Sequence, residues 1–510
     1  MMSKIKTVCF SGINVLDVDV EVHFAKGQPG ITIVGLGDKA VKESIDRIRA
    51  SLATLGLILP PQRITINLAP ADMLKEGTHY DLPIIVGILV NIGIIKQEMV
   101  ENYIIVGELG LDATIKMVNG ILPASLHANT KQLGIICPKD NGKEAAWGGK
   151  EMSIIATDNL TNLIKHLKGI IKIERPQILQ ENFIKSLNKD MADVKGQHMA
   201  KYAIEIAAAG GHNILMLGSP GCGKTMLASR IITILPSLST QEMIDVSMIH
   251  SISGLIKNGT LSSVRPFRSP HHTASKYSLI GGGSKAKPGE ITLAHNGILF
   301  LDEMPEYDRD TLEALRQPME TGEIVITRVN HKVVYPAKFQ LVGAMNPCKC
   351  GFYGSTKQKC TCSLKSIQQY QNRISGPLLD RIDIHVKMED NNYKFSEVID
   401  NSQPEETSAT IKKRVENARN IQKERYKNEN FKLNCHCPDG QLLQKYCMPK
   451  DEKCIKQIDE ISEKLNISMR GIGKIIRVAR TIADLENKEE ITQEHILKAS
   501  LFRQKILGQD

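Results

Sequence analysis

Short apolar runs dominate the first third of the chain. Ile31-Thr32-Ile33-Val34 and Arg63-Ile64-Thr65-Ile66-Asn67-Leu68 alternate apolar and polar positions, the period-two pattern of half-buried strands. Runs with helical spacing, Lys39 to Leu55 and Leu82 to Ile94, alternate with them. Residues 1–170 therefore predict a separate α+β domain. From about residue 195 the pattern changes. Ile214-Leu215-Met216-Leu217 is the continuous apolar run of a strand buried on both faces, and helix-forming residues follow from Met226 to Leu235. Ile298 to Leu301 and Phe339 to Met345 are two more such strands, so residues 195–390 predict an α/β core with a parallel sheet. Beyond Ile411 the pattern is helical, with Ile475, Ile476, Val478, Ala479 and Ile482 on one face. Two polar stretches, 171–194 and 391–410, read as linkers, leaving 411–510 as a C-terminal helical domain.

Composition narrows the class. A chain of 510 residues with 42% apolar residues has material for about three cored domains. The longest apolar candidate, Leu82 to Ile95, holds Pro83 and Asn91 and is too short to span a bilayer, so no membrane partner is expected. No charged-then-apolar leader pattern opens the chain. Eleven cysteines in that setting predict reduced thiols in the cytoplasm rather than a disulfide framework. A net charge of +9 leans weakly towards an acidic partner.

The chemistry begins at Gly218-Ser219-Pro220-Gly221-Cys222-Gly223-Lys224-Thr225, a GxxxxGKT P-loop between strand and helix. Glycines let backbone N–H groups turn inward around phosphate oxygens, and the helix N-terminus that follows favours anions. Residues 218–225, with Met226 beyond them, are expected to bind ATP. Lys224 would reach the β- and γ-phosphates, and the Thr225 hydroxyl would hold Mg²⁺. About 80 residues on, Gly297-Ile298-Leu299-Phe300-Leu301 ends in Asp302-Glu303. Two carboxylates at the C-terminal end of a buried strand sit where α/β sheets bind ligands. Asp302 would complete the Mg²⁺ shell, and Glu303 would orient or deprotonate the attacking water.

The order of these motifs resembles that of AAA+ ATPases. The resemblance places Asn346, in Gly343-Ala344-Met345-Asn346-Pro347, as the sensor that positions the water. It places Arg381, in Leu378-Leu379-Asp380-Arg381-Ile382-Asp383, as an arginine finger reaching a neighbouring subunit's γ-phosphate. Arg470, in Ser468-Met469-Arg470-Gly471, matches the second sensor of the lid, with Arg477 and Arg480 as rivals for that role. Further text narrows the family: Ala207-Ala208-Ala209-Gly210-Gly211-His212-Asn213, Arg265-Pro266-Phe267-Arg268-Ser269-Pro270-His271-His272-Thr273-Ala274-Ser275 and Leu315-Arg316-Gln317-Pro318-Met319-Glu320. Together they are similar to the ComM (YifB-type) Mg-chelatase-like AAA+ family over nearly the whole chain. That resemblance implies a homo-hexameric ring ATPase that drives DNA branch migration in natural transformation, a helicase-like motor. The alternative from another class is a protein-remodelling or metal-chelatase-type motor not acting on DNA.

The N-terminal domain resembles the Lon-protease-like domain of related ATPases, on Asn67-Leu68-Ala69-Pro70-Ala71-Asp72-Met73, Asp81-Leu82-Pro83 and Val118-Asn119-Gly120-Ile121-Leu122-Pro123. Where Lon-type peptidases place a Ser and a Lys, this chain aligns His79 and Leu122, so no acyl-transfer chemistry is expected.

Three features bear on partners. From Gly254 to Gly289 there are six Lys/Arg (Lys257, Arg265, Arg268, Lys276, Lys285, Lys287) and no Asp or Glu, a basic insertion suited to DNA phosphates, or a solvated loop, or one that pairs with acidic neighbours. Glu323 to Pro336 predicts a β-hairpin with a basic tip at Arg328-Val329-Asn330-His331-Lys332, entering a pore or serving structure alone. Aromatics are only 4%, which favours backbone contact over base stacking. The adjacent His271 and His272 are expected to point apart, as a loop pair rather than metal ligands. Cys348, Cys350, Cys360 and Cys362 form C-x-C…C-x-C, a set that suits structural Zn²⁺ or stands as free thiols.

Overall fold

The computed structural model describes residues 2–178, 189–256, 258–283, 286–327, 332–356, 358–390 and 405–503. The hairpin tip 328–331, the insertion's Lys257 and Lys285, and parts of both predicted linkers (179–188 and 391–404) lie outside the described residues.

The N-terminal region builds a seven-stranded mixed sheet. Its order is Gly30–Val34, Arg63–Ala69, Asn14–Ala25, Met2–Ser11, Tyr103–Ile105, Gly134–Pro138 and Ile154–Thr157. The predicted alternation is realised in Arg63–Ala69, where Ile64, Ile66 and Leu68 are buried. The helix Lys39–Thr54 is capped by Asp38, whose carboxylate accepts from Val41 N. The helix Asp81–Asn91 is buried along nearly its whole length. Asp81 begins it, where a negative charge suits the helix dipole, and Arg47 grips that carboxylate with Nε and Nη2 at 2.6 and 2.9 Å.

The second main sheet is parallel and five-stranded, in the order Phe267–Arg268, Ile298–Leu301, Gln340–Met345, Ile214–Leu217 and Ile384–Lys387. The chain is thus an α/β protein with a helical C-terminal region. Strand alternation divides the core into two faces. Ile214 and Met216 pack with the helix His198–Gly210 and with the C-terminal helices, while Leu215 and Leu217 pack with the hairpin Glu323–Thr327/Lys332–Pro336 and its neighbours. Each fully buried aliphatic side chain contributes roughly 1.5–3 kcal/mol.

The C-terminal helices begin at Ser408, three residues before the expected Ile411, because Thr407 caps the helix by accepting from Thr410 N. Glu405 and Glu406 pair with Lys201 and Arg414, so the end of the expected linker lies against the core. The helix Met469–Leu485 departs from the one-faced pattern. Every residue from Gly473 to Asp484 is buried, including Lys474, Arg477, Arg480 and Asp484. Its polar residues are held by ion pairs inside the protein, which hydropathy spacing alone does not register. Among the described residues, no helix is long and apolar enough to cross a membrane.

His79 and Leu122, the positions aligned with the peptidase dyad, are both buried, at 6% and 0% exposure. The His79 ring lies 5.5 Å from that of Phe10, and Phe10 also packs against Gly120 at the start of the helix carrying Leu122. Burial pushes the His79 imidazole down to about 4. An unfolded histidine binds its proton near 6.5, so the unfolded chain gains a proton that the fold refuses. Stability from this residue is complete above about pH 6.5 and drains as pH falls towards 4, by up to about 3 kcal/mol. Urea unfolding at pH 7 and 4.5 is expected to show a smaller acid loss in His79→Gln than in the unsubstituted protein; equal losses would refute this assignment.

Candidate active site

The P-loop follows the strand Ile214–Leu217, which lies between Gln340–Met345 and Ile384–Lys387 in parallel register. Gly223 caps the helix Lys224–Ile234 at φ 95°, and Gly221 sits at φ 76°. Both have open space around the missing Cβ, so left-handed backbone, not crowding, requires glycine there. Cys222 is buried under the loop, and burial pushes its thiol up.

Lys224 is buried and turns back over the loop. Its Nζ donates to the carbonyls of Gly218 (2.8 Å) and Ser219 (2.9 Å) and to Asn346 Oδ1 at 3.0 Å. Thr225 Oγ1 donates to Asp302 Oδ2 at 2.6 Å. Glu303 takes left-handed backbone at φ 48°, uncommon for a residue with a side chain, and its N–H is received by Asp302 Oδ1. The turn leaves the Glu303 side chain about half exposed, 52%, beside the P-loop strand's partners. Five expected site residues, Lys224, Thr225, Asp302, Glu303 and Asn346, are thus brought together from three strand ends. The hydroxyl and carboxylate of Thr225 and Asp302 are hard oxygen donors suited to Mg²⁺. Met226 is 46% exposed on the first turn of the helix.

Arg381 and Arg470 are elsewhere. Arg381 precedes the strand Ile384–Lys387, whose far end meets Leu217 beside the P-loop. The four-residue strand alone separates them by about 13 Å. Arg381 pairs with Glu320 and donates to Pro377 O at 2.8 Å. Arg470 lies exposed in the first turn of Met469–Leu485, where Gly471 packs near Arg503, and Arg503 donates to Ile382 O at 2.7 Å. The hydrogen bond from Arg381, then the charges of Arg381, Arg470 and Arg316, hold the Glu320 carboxyl below its usual range. A second, cationic cluster therefore occupies the opposite end of the sheet. The rivals to Arg470 are engaged: Arg477 with Cys437 O and Asp439, Arg480 with Asp484 and the carbonyls of Lys488 and Glu489.

Of the alternatives for the insertion, pairing with acidic neighbours holds for two arginines, and one expectation about the histidines needs correction. Arg265 pairs with Glu242 and Arg268 with Glu290, acids just outside the stretch counted in sequence. The rings of His271 and His272 do not point apart; they pack at 4.1 Å, with His271 Nδ1 on Thr273 Oγ1. His272 Nδ1 lies 3.5 Å from Glu303 Oε2, a neighbour for the expected catalytic carboxylate that the sequence reading did not foresee. Lys276, Tyr277 and Lys287 remain exposed, Tyr277 at 75%.

The four cysteines converge. Sγ–Sγ distances are 3.3 Å (Cys348–Cys350), 3.7 Å (Cys348–Cys360) and 3.5 Å (Cys350–Cys360), and all four sulfurs lie within 4.8 Å of one another. Thiolates about 2.3 Å from tetrahedral zinc stand about 3.8 Å apart, so the set fits that ion. Backbone N–H groups of Phe352 and Thr361 pull the Cys350 thiol down, while Cys360 and Cys362 beside it are held up.

Comparison with known proteins covers the whole chain. Residues 20–141 match the family described as subunit ChlI of Mg-chelatase, 190–395 match magnesium chelatase, subunit ChlI, and 405–503 match its C-terminal part. The chain is 40% identical over 504 residues to the uncharacterized protein YifB of Escherichia coli, covering 98% of this chain and 97% of that one. It is 40% identical to YifB of Salmonella typhimurium, covering 96% and 95%. It is also 40% identical to competence protein ComM of Haemophilus influenzae, again covering 96% and 95%.

Glu303→Gln keeps the shape of the carboxylate but removes its charge, so ATP binding should persist while turnover falls about a hundredfold or more. Thr225→Ala should instead weaken Mg²⁺-dependent nucleotide binding. Equilibrium binding and steady-state hydrolysis separate the two, and a Glu303→Gln protein with normal turnover would rule out this role for Glu303.

Proposed function

The chain belongs to the YifB/ComM family of Mg-chelatase-like AAA+ ATPases, and from that premise we propose that it is a ring motor, a homo-hexamer, that hydrolyses ATP to remodel DNA. The observation that carries the reading is the split site. Lys224, Thr225, Asp302, Glu303 and Asn346 stand at one end of the parallel sheet, and Arg381 and Arg470 at the other. Head-to-tail packing of copies brings one end against the other, and closed packing of that kind gives a ring. Within such a site the P-loop amides and Lys224 bind the triphosphate, Thr225 and Asp302 hold Mg²⁺, which neutralises developing charge on the phosphates, and Glu303 orients water with Asn346. Arg381 and Arg470 of a neighbouring copy supply fixed positive charge to the transition state.

For the DNA arm, support comes from the exposed Lys276, Tyr277 and Lys287 on the insertion that also carries His272 against Glu303. An exposed tyrosine beside lysines suits stacking as well as phosphate contact. One similar protein is named for competence, which favours branch migration during DNA uptake as the setting. We also assign Zn²⁺ to Cys348, Cys350, Cys360 and Cys362 as a structural ion.

Mixing variants tests the ring. Arg381→Ala and Lys224→Ala should each lose about a thousandfold in turnover or more, and mixed rings should regain part of it, since intact half-sites then meet. No recovery on mixing, with assembly confirmed, would count against a shared site. Single-stranded, duplex and four-way-junction DNA should each be compared for stimulation of hydrolysis. The double variant Lys276→Ala/Lys287→Ala is expected to lower the salt dependence of DNA binding by about one to two in the logarithmic slope. A hydrolysis rate indifferent to all DNA forms at low salt would sink the DNA arm and favour a motor acting on protein or a metal chelate.

A further inference from the structure

The four-cysteine loop and the P-loop share a support that neither motif contains. Asp390 lies three residues beyond the strand Ile384–Lys387. Its Oδ1 accepts from Ser219 Oγ, inside the P-loop. Its Oδ2 accepts from Ser355 Oγ at 2.6 Å and from Thr356 N at 3.0 Å, between the two cysteine pairs. One carboxylate thus ties the phosphate-binding loop to the thiol loop. A second contact is steric. Gly351, at φ 87°, packs so closely on Pro220 that a Cβ there would meet Pro220 Cγ and Cδ at 2.5 Å. A third is covalent, since Cys348 follows Asn346 by two residues and Asn346 receives Lys224.

The described residues between Cys348 and Cys362 form turns, with no helix or strand to hold them. Beyond the Asp390 and Pro220 contacts, a cross-link among its sulfurs would fix such a segment, and metal supplies one far more strongly than neutral thiols do. Resting on the zinc assignment made above, we propose that Zn²⁺ at Cys348, Cys350, Cys360 and Cys362 sets the shape of the P-loop through Asp390 and the Gly351–Pro220 contact, so that metal loading controls ATP affinity. Asp390 is a positioning residue in this arrangement. It holds Ser219 and Pro220 in place from outside while the backbone amides and Lys224 meet the phosphates.

The test uses the full chain, elemental analysis and a fluorescent ATP analogue. The unsubstituted protein should carry about one Zn²⁺ per chain and bind the analogue tightly with Mg²⁺ present. Cys360→Ser/Cys362→Ser should lose the metal and bind about tenfold more weakly. Asp390→Ala should keep the metal and weaken similarly, seen as a higher KM for ATP with kcat little changed. Asp390→Asn keeps an acceptor for Ser355 and Thr356 and an amide for Ser219, so it should restore affinity to within about threefold. A metal-free cysteine variant that binds ATP normally would overturn the coupling while leaving the zinc assignment intact. An unsubstituted protein without zinc would overturn the assignment itself. Should the cysteine variant fail to fold, Asp390→Ala with full metal and unchanged affinity would still refute the coupling.

Discussion

A buried carboxylate, Asp383, joins two strands of the ATPase core to the C-terminal helices. It accepts from Lys474 Nζ at 2.7 Å and from Asn213 N at 3.1 Å, and His212 Nδ1 lies 3.5 Å away. Burial alone would raise its proton affinity, but Lys474 and His212 hold the group firmly ionised. Asn213 opens the P-loop strand, Asp383 opens its parallel neighbour, and Lys474 stands in the buried helix. Three elements far apart in sequence therefore meet at one charge, whose loss would strand a lysine in the interior. Arg381 is two residues before this anchor and Arg470 four before Lys474, so the same contact fixes both arginines at the far end of the sheet.

The site is thus divided by the sheet itself. Parallel strands place their C-terminal ends together, which gathers Lys224, Asp302 and Asn346 from three separate stretches of sequence. The same parallel order sends the arginines to the other end. The ring proposed above rests on that separation.

The N-terminal domain is bound to the core by polar as well as apolar contacts. Ser251 donates to Glu144, which also receives Leu122 N at 3.0 Å, and Trp147 Nε1 donates to Gly259 O at 3.2 Å. Gly12 packs against Val333 in the hairpin. Burial pushes the Glu144 carboxyl up, and its donors Ser251, Leu122 N and Asn141 Nδ2 offset that cost. The region around Leu122, where a peptidase would place its base, here meets the helix Thr240–Ile252 that precedes the basic insertion.

Much of the fold was legible in sequence. Period-two runs such as Arg63–Leu68, the apolar strand before the glycines and the strand ending in Asp302-Glu303 are local patterns, because backbone geometry repeats over a few residues. The P-loop residues are equally local, since left-handed turns demand glycine where they occur. What the sequence left open were pairings between distant side chains. Whether Arg265 and Arg268 met phosphates, solvent or acids stayed open until Glu242 and Glu290 closed on them, and a helix read as one-faced proved buried all round by ion pairs. Asp390 carried no motif and His272 stood in a family stretch without a role, because a carboxylate or imidazole gains its role from what folding sets beside it. Sequence by itself determined the elements and the phosphate-binding chemistry. Tertiary structure alone decided which charges are spent inside the protein and which face a neighbour, because charge pairing depends on distance in space and not on separation along the chain.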